Sequence, residues 1–248
     1  MALRSHHPGS PEHDGAAWFG VSAAVLAGDL AFVWADRLLD ALDHAELPGA
    51  SIRRARELFS QMRTEVIAGQ YLDLRVGGSD TATEHDGSQI ALLKSARYTV
   101  TRPLQIGAVL AQADDEMCAR LAAYGDAVGT AFQLRDDVLG LFGDPVQTGK
   151  SCVDDLREGK RNVLVLRALR LATEAERAVL HATLGAPHVD DVVADRCREV
   201  VSGSGALASV EATISELLEQ ALAVATTFDP AATPALEHLA WYAARRDR

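Results

Sequence analysis

Apolar residues recur at helical spacing from Ala16 to Leu42, through AWFGVSAAVLAGDLAFVWADRLLDAL, and predict a first helix there. Pro48 and Gly49 break the chain, and the spacing predicts a second helix from about Ser51 to Leu74, ending near Gly77 and Gly78. Residues 77–87 read as a polar loop. A helix over 88–111 carries Pro103, which lacks a backbone donor and should kink or divide it. The next helix, 114–142, opens on Asp114, Asp115 and Glu116, where carboxylates suit the positive helix end without any metal. A turn-rich polar loop follows to residue 161, then shorter helices over about 161–172, 173–184, 188–203, 206–228 and 232–245. No stretch alternates β-branched and polar residues, so the expected class is all-α, organised by helix packing. Residues 1–15, with His6, His7 and His13, read as a disordered lead-in.

Composition narrows the function. Acidic residues outnumber basic ones by 35 to 24, a formal charge of -11, which argues against a general nucleic-acid binder. It leaves room for a small anionic ligand in a local basic pocket. Cys118, Cys152 and Cys197 lack metal-ligand spacing and fit reduced thiols of a cytoplasmic protein. Apolar runs such as Val21–Leu30 are expected to meet charge before membrane-spanning length, so no membrane span is predicted. Only Lys94, Lys150 and Lys160 are lysines among the 24 basic residues. Against an arginine background, a retained lysine suggests a site that wants a compact ammonium.

Gln133, Asp136, Asp137 and Gly140 fall at i, i+3, i+4 and i+7, on one face of the 114–142 helix. Alone, an Asp-Asp pair reads more readily as a solvated acidic stripe than as a metal site. Facing inward, the pair would need a compensating cation, and Mg²⁺ suits one or two carboxylates together with phosphate oxygens. Lys150, Arg157, Lys160 and Arg161 follow closely, and Lys94 lies on the preceding helix. Cations beside metal-binding carboxylates suit a diphosphate.

The stretch FQLRDDVLGLFGDPVQTGKSCVDDLREGKR resembles the second aspartate-rich region of trans-prenyl diphosphate synthases, the geranylgeranyl type of actinobacteria in particular. AVLAGDLAFVWAD (24–36), GQYLDL (69–74) and KSARYTVTRPLQ (94–105) are similar to further landmarks of that family, in the same order. The resemblance covers about residues 17–245 and implies an isoprenoid synthase-type helical bundle around a central cavity, one domain over 16–248. It implies that Asp136 and Asp137 hold Mg²⁺ against an allylic diphosphate and that Gln133 contacts substrate beside the metal. Lys94, Lys150 and Lys160 would grip the diphosphate, with Ser95 offering a hydroxyl where the family has threonine. Gln70 and Asp73 match a Gly-Gln-x-x-Asp motif on a helix facing the cavity. The implied reaction condenses isopentenyl diphosphate with the allylic partner, with no side-chain nucleophile. A homodimer, or a heteromer with a complete synthase, is the implied assembly.

The departures matter as much. The family's first Asp-Asp-x-x-Asp motif, which should precede the helix beginning near Ala16, is absent from these 248 residues, as is the region that binds isopentenyl diphosphate. The bundle is therefore expected to lack its N-terminal helices. Asp29 and Asp36 match a later segment of the family and do not replace the motif. Gly140 stands where many members have a third aspartate. Three readings remain open: a prenyltransferase seen through a shortened chain, a non-catalytic partner of a complete synthase, and a class I terpene cyclase. GQYLDL and DLREGKR suit a prenyl synthase better than a cyclase. On its own, the chain is expected to bind diphosphate weakly and to transfer prenyl groups slowly.

Overall fold

Side-chain caps set five of the helix starts among the described residues. Asp114 Oδ1 accepts from the Met117 amide at 2.8 Å, Asn162 Oδ1 from Val165 at 3.0 Å and Asp190 Oδ1 from Val193 at 2.9 Å. Thr83 with Asp86, and Thr173 with Glu176, close reciprocal capping boxes. The computed structural model describes residues 15–77, 79, 81–143 and 153–246. The predicted lead-in through residue 14, with its three histidines, and the segment 144–152, with Lys150 and Cys152, lie outside the described residues.

Among the described residues every regular element is helical, as the periodicity requires. In chain order they are α1 (Gly15–Asp40), a 3₁₀ turn (Ala41–His44), α2 (Gly49–Val76), α3 (Glu84–Ile90), a π-helical segment (Ala91–Thr101), α4 (Arg102–Leu110) and α5 (Asp115–Phe142). Then come α6 (Asp154–Arg157), α7 (Val163–Leu171), α8 (Glu174–Thr183), α9 (Asp191–Gly203), α10 (Ala206–Ala225) and α11 (Thr233–Arg245).

Two loops differ from expectation, and the helix through Pro103 divides as expected but without a break. The loop expected over 77–87 is shorter, because the Thr83–Asp86 box starts α3 at Glu84. The loop expected after α5 contains the single turn α6. Pro103 does not end its helix: the chain winds as a π-helix up to Thr101, and Pro103 sits in the first turn of α4. The Arg102 amide bonds the Arg97 carbonyl, so the i→i+5 pattern has shifted the hydrogen-bond register just before the missing donor.

The chain divides into two units, Met1–Ile52 and Arg53–Arg248. In the first, α1 exposes Trp18, Phe19, Val25, Leu26 and Leu38. From Trp18 the helix is long and apolar enough, by length and composition alone, to cross a membrane. This corrects the expectation of early interruption: Asp29 is the only charge between Trp18 and Ala35.

In the second unit α5 is the hub. Cys118, Leu121, Tyr124, Val128, Leu134, Val138 and Leu141 are buried along it, and α10 and α11 pack on one side. Tyr124 is fully buried, donates its hydroxyl to the Leu236 carbonyl at 2.6 Å and meets Phe228 edge-on at 6.4 Å. Burial raises its phenol to about 12. Arginines clip the helices together. Arg135 bonds both oxygens of Glu211 at 2.6 Å and the Ala244 carbonyl at 2.9 Å. Arg102 grips Glu65, and Arg167 and Arg170 share Glu84. These planar forks use the bidentate geometry that an ammonium lacks.

On the other side of α5 runs the π segment, in backbone contact. A Cβ at Gly129 would lie 2.5 Å from the Ala96 Cα, and one at Gly125 2.7 Å from the Thr101 Cα. Gly69 of α2 does the same from the opposite flank, where a Cβ would sit 2.5 Å from the Lys94 amide nitrogen. The π segment is thus held between two glycine-bearing faces. Replacing Gly129 with valine should destabilise the chain by about 3 kcal/mol or more, since the clash is with backbone that cannot rotate away. Urea denaturation checks this, and a midpoint within error of the parent would contradict the contact.

Candidate functional site

The glycine face of α5 continues from Gly125 and Gly129 to Gln133, Asp137 and Gly140 at steps of three and four. Where the glycines stop, polar side chains begin, opposite the start of the π segment. Ser95 donates its hydroxyl to Gln133 Oε1, and Gln133 Nε2 donates to Asp137 Oδ1 at 2.8 Å. Both sides of the Gln133 amide are therefore used, and Asp137 is oriented by a relay from the neighbouring helix.

Around this relay lies a cavity of about 590 Å³. Asp73, Lys94, Ser95, Asp136, Asp155 and Lys160 are among its walls. Lys94 Nζ pairs with Asp73 Oδ2 at 2.6 Å across the α2 contact. Lys160 pairs with Asp155 and, at 3.1 Å, with Glu158. The turn that returns Lys160 onto Asp155 passes through Gly159 at φ +65°, a left-handed conformation that glycine adopts without strain.

Asp137 is 7 % exposed. Burial pushes its carboxyl up to about 7; the charges of Asp155 and Asp136 add to the rise, while Gln133 and Lys160 oppose it. Burial works against the Lys160 ammonium, but Asp155 and Glu158 outweigh it and hold its pKa above the ordinary value.

The structure therefore brings together Asp73, Lys94, Ser95, Gln133, Asp136, Asp137 and Lys160, seven of the nine residues singled out from the sequence. Lys150 lies outside the described residues. Gln70 does not join them: it is exposed and is not part of the cavity wall. Gly69 is pressed against the Lys94 backbone, and Asp73, four residues on, shares its face. Gln70 is turned about 100° away. Asp114 caps α5 and Asp115 pairs with Arg54, so the acidic start of that helix serves the helix itself. Cys118 and Cys197 are buried free thiols.

Among the cavity residues not singled out from the sequence, Asp155 and Arg246 bear directly on the aspartate pair and Gly140. Asp155 stands beside Gly140: a Cβ at residue 140 would lie 2.5 Å from Asp155 Oδ2. Its carboxylate thus occupies space that a longer residue 140 would need. Its signal was present, inside the DLREGKR string. Arg246 lines the same cavity, paired with Asp136, and no local pattern links residues 110 positions apart.

The donor set is oxygen only, which suits a hard divalent cation. No group of three or more metal-ligating side chains is assembled among the described residues. Asp136 and Asp137 thus fit a cation whose remaining ligands come from phosphate and water, and not a closed protein cage.

The sequence model of the polyprenyl synthetase family matches residues 12–201. The chain is 30% identical to a geranylgeranyl diphosphate synthase of Saccharolobus solfataricus over 185 residues, 74% of this chain and 54% of that protein. It is 33% identical to one of Mycobacterium tuberculosis over 192 residues, 77% of this chain and 53% of that protein. The chain spans about half the length of these curated relatives. The crystal structure of a Corynebacterium glutamicum geranylgeranyl pyrophosphate synthase, complexed with isoprenyl diphosphate and magnesium, superposes with a TM-score of 0.85 at 37% identity, covering 92% of this chain and 64% of that one. A Caulobacter crescentus polyprenyl synthase, complexed with calcium and isoprenyl diphosphate, gives 0.82 at 27% identity over 94% and 68%.

The raised Asp137 pKa predicts a pH dependence in metal-free buffer. The folded state binds this proton more tightly than the unfolded state. Its contribution to stability is therefore present near pH 4 and lost as pH rises through about 7. Asp137→Asn should remove that slope and overtake the parent toward neutral pH by a few kcal/mol, at about 1.4 kcal/mol per pKa unit. Urea midpoints from pH 4 to 8 with chelator present measure it; parallel profiles would contradict the burial.

Proposed function

The chain belongs to the polyprenyl synthetase family, and from that premise we propose that its cavity binds the diphosphate of a prenyl substrate against Mg²⁺ held by Asp136 and Asp137. One observation carries the reading. The two carboxylates and the ammonium groups of Lys94 and Lys160 border a single cavity. That is the charge pattern a metal-bound diphosphate requires.

When bound, the metal neutralises charge that builds on a departing diphosphate. Lys94 and Lys160 are placed to share that charge, and Lys150 is assigned the same role from the resemblance. Lys94 and Lys160 already neutralise Asp73 and Asp155, so both can turn toward phosphate without having been buried unpaired. Ser95 and Gln133 hold Asp137 in one orientation. With the diphosphate held on several sides, the allylic carbon–oxygen bond breaks to give a carbocation. The double bond of isopentenyl diphosphate then forms a bond to that carbon. A proton leaves the adduct for the released diphosphate, which completes a head-to-tail condensation.

The carboxylates that border the cavity come from α2, α5 and the segment around α6, and no Asp-Asp-x-x-Asp string occurs in the 248 residues. Binding is therefore the first test and turnover the second. Calorimetric titration with inorganic pyrophosphate should give binding only with Mg²⁺ present, weakened about tenfold or more in Asp136→Asn and Asp137→Asn. Incubation with an allylic diphosphate and isopentenyl diphosphate should yield a product one five-carbon unit longer, at a rate well under the 1–10³ s⁻¹ common to enzymes, roughly speaking. Equal pyrophosphate binding with and without Mg²⁺ would refute the clamp.

A further inference from the structure

Arg246 approaches the metal-site carboxylates from the far end of the chain. Phe132, Arg135 and Asp136 lie at i, i+3 and i+4 on α5. Arg135 fixes the end of α11 beside them through the Ala244 carbonyl at 2.9 Å. Two residues further on, Arg246 leaves the helix with extended backbone (φ -61°, ψ 149°). Its guanidinium carbon lies 3.7 Å from the centre of the Phe132 ring, and Nη2 pairs with Asp136 Oδ1. The Arg246 side chain is 12 % exposed and Asp136 39 %. The buried Nε–H has no acceptor among the described residues.

Each part of this arrangement has a physical meaning. A guanidinium stacked on an aromatic face keeps its N–H edges free for oxygen. One edge meets the first carboxylate of the aspartate pair, the atom set the proposed metal would use. A buried N–H without an acceptor costs free energy until an oxygen reaches it. A divalent ion on Asp136 would repel the guanidinium at short range, so the two cations cannot hold this carboxylate equally well together. A diphosphate arriving with the metal brings oxygens that suit the freed fork.

We propose that Arg246 is a tethered counter-ion of the metal site: it holds Asp136 while the metal is absent, yields it to Mg²⁺, and then contacts the diphosphate. This rests on the reading of Asp136 as a metal ligand. The exchange makes metal and diphosphate binding cooperative. Metal alone must displace Arg246 without return, whereas metal with diphosphate gives the guanidinium a new partner. Arg246 is thereby a binding residue contributed from outside the aspartate-rich stretch.

Mn²⁺ binding followed by the loss of the free-ion electron paramagnetic resonance signal tests this on the full chain. Without pyrophosphate, Arg246→Ala should bind Mn²⁺ roughly five-fold more tightly than the parent, because the competitor is gone. Arg246→Lys, which keeps charge and loses the flat stack, should fall between. With Mn²⁺ saturating, Arg246→Ala should bind inorganic pyrophosphate several-fold more weakly. Thermal melts show whether each variant is folded, and Arg246→Lys gives the same comparison if the alanine variant is not. Unchanged or weaker Mn²⁺ binding in Arg246→Ala, or unchanged pyrophosphate binding, overturns the proposal. Asp136→Asn separates the two levels. If it binds Mn²⁺ as the parent does, the metal is not on Asp136 and the clamp itself falls; if it loses Mn²⁺ while Arg246→Ala gains nothing, only the role of Arg246 falls.

Discussion

Backbone contact between α5 and the π segment is the constraint on which the rest of the site depends. Gly125 and Gly129 let the Thr101 and Ala96 backbone lie directly against α5, which puts no side chain of its own between the helices at those positions. Gly69 closes the opposite flank of the same segment. The helices are thus held in a fixed relative position before any polar contact forms. Beyond Gly129 larger residues appear on both elements, and the polar relay and the cavity begin there. Ser95 meets Gln133, and Lys94 meets Asp73, because the glycines have already set how far each helix is shifted along its neighbour. The π winding belongs to the same solution. It carries the helix toward Pro103 with the Arg102 amide bonded five residues back, so the proline is met inside a continuing helix.

Electrostatics divides the basic residues by geometry. Arg102, Arg135 and Arg167 tie helices together through carboxylates and carbonyls, where a planar fork gives two bonds at fixed angles. The described lysines both stand in the cavity, where a small ammonium can change partners by rotation. Arg246 is the exception that shows the rule: stacked on Phe132, it is the arginine whose fork faces a carboxylate proposed to bind metal. Burial raises the Asp137 carboxyl to about 7 even with Lys160 opposing the rise, so further positive charge beside it would favour its ionised form at neutral pH.

Asp155 and Gly140 show how a motif departure can be matched elsewhere in the chain. A glycine at residue 140 removes one side chain from the α5 face, and the carboxylate of Asp155 fills the space beside it. The one-turn helix α6 and the left-handed turn at Gly159 hold that carboxylate against Lys160. The acidic character of the cavity is thus kept by a residue from another element.

The sequence alone determined the all-α class, most helix bounds to within a few residues, and the aspartate-rich stretch that carries the chemistry. These properties are local: helical periodicity, caps and turn residues act over three or four positions, and the motif residues share one helix face or one short loop. The loop expected over 77–87 gives way to the Thr83–Asp86 box, and Gln70 stands outside the cavity wall that Asp73 joins, because a motif does not state which helix face a neighbour will cover. The register between α5 and the π segment, the departure of Gln70 from the site and the arrival of Arg246 at Asp136 were decided only by the tertiary structure. Each depends on how closely two helices approach or on residues 110 positions apart, and no spacing along the chain encodes a distance across it.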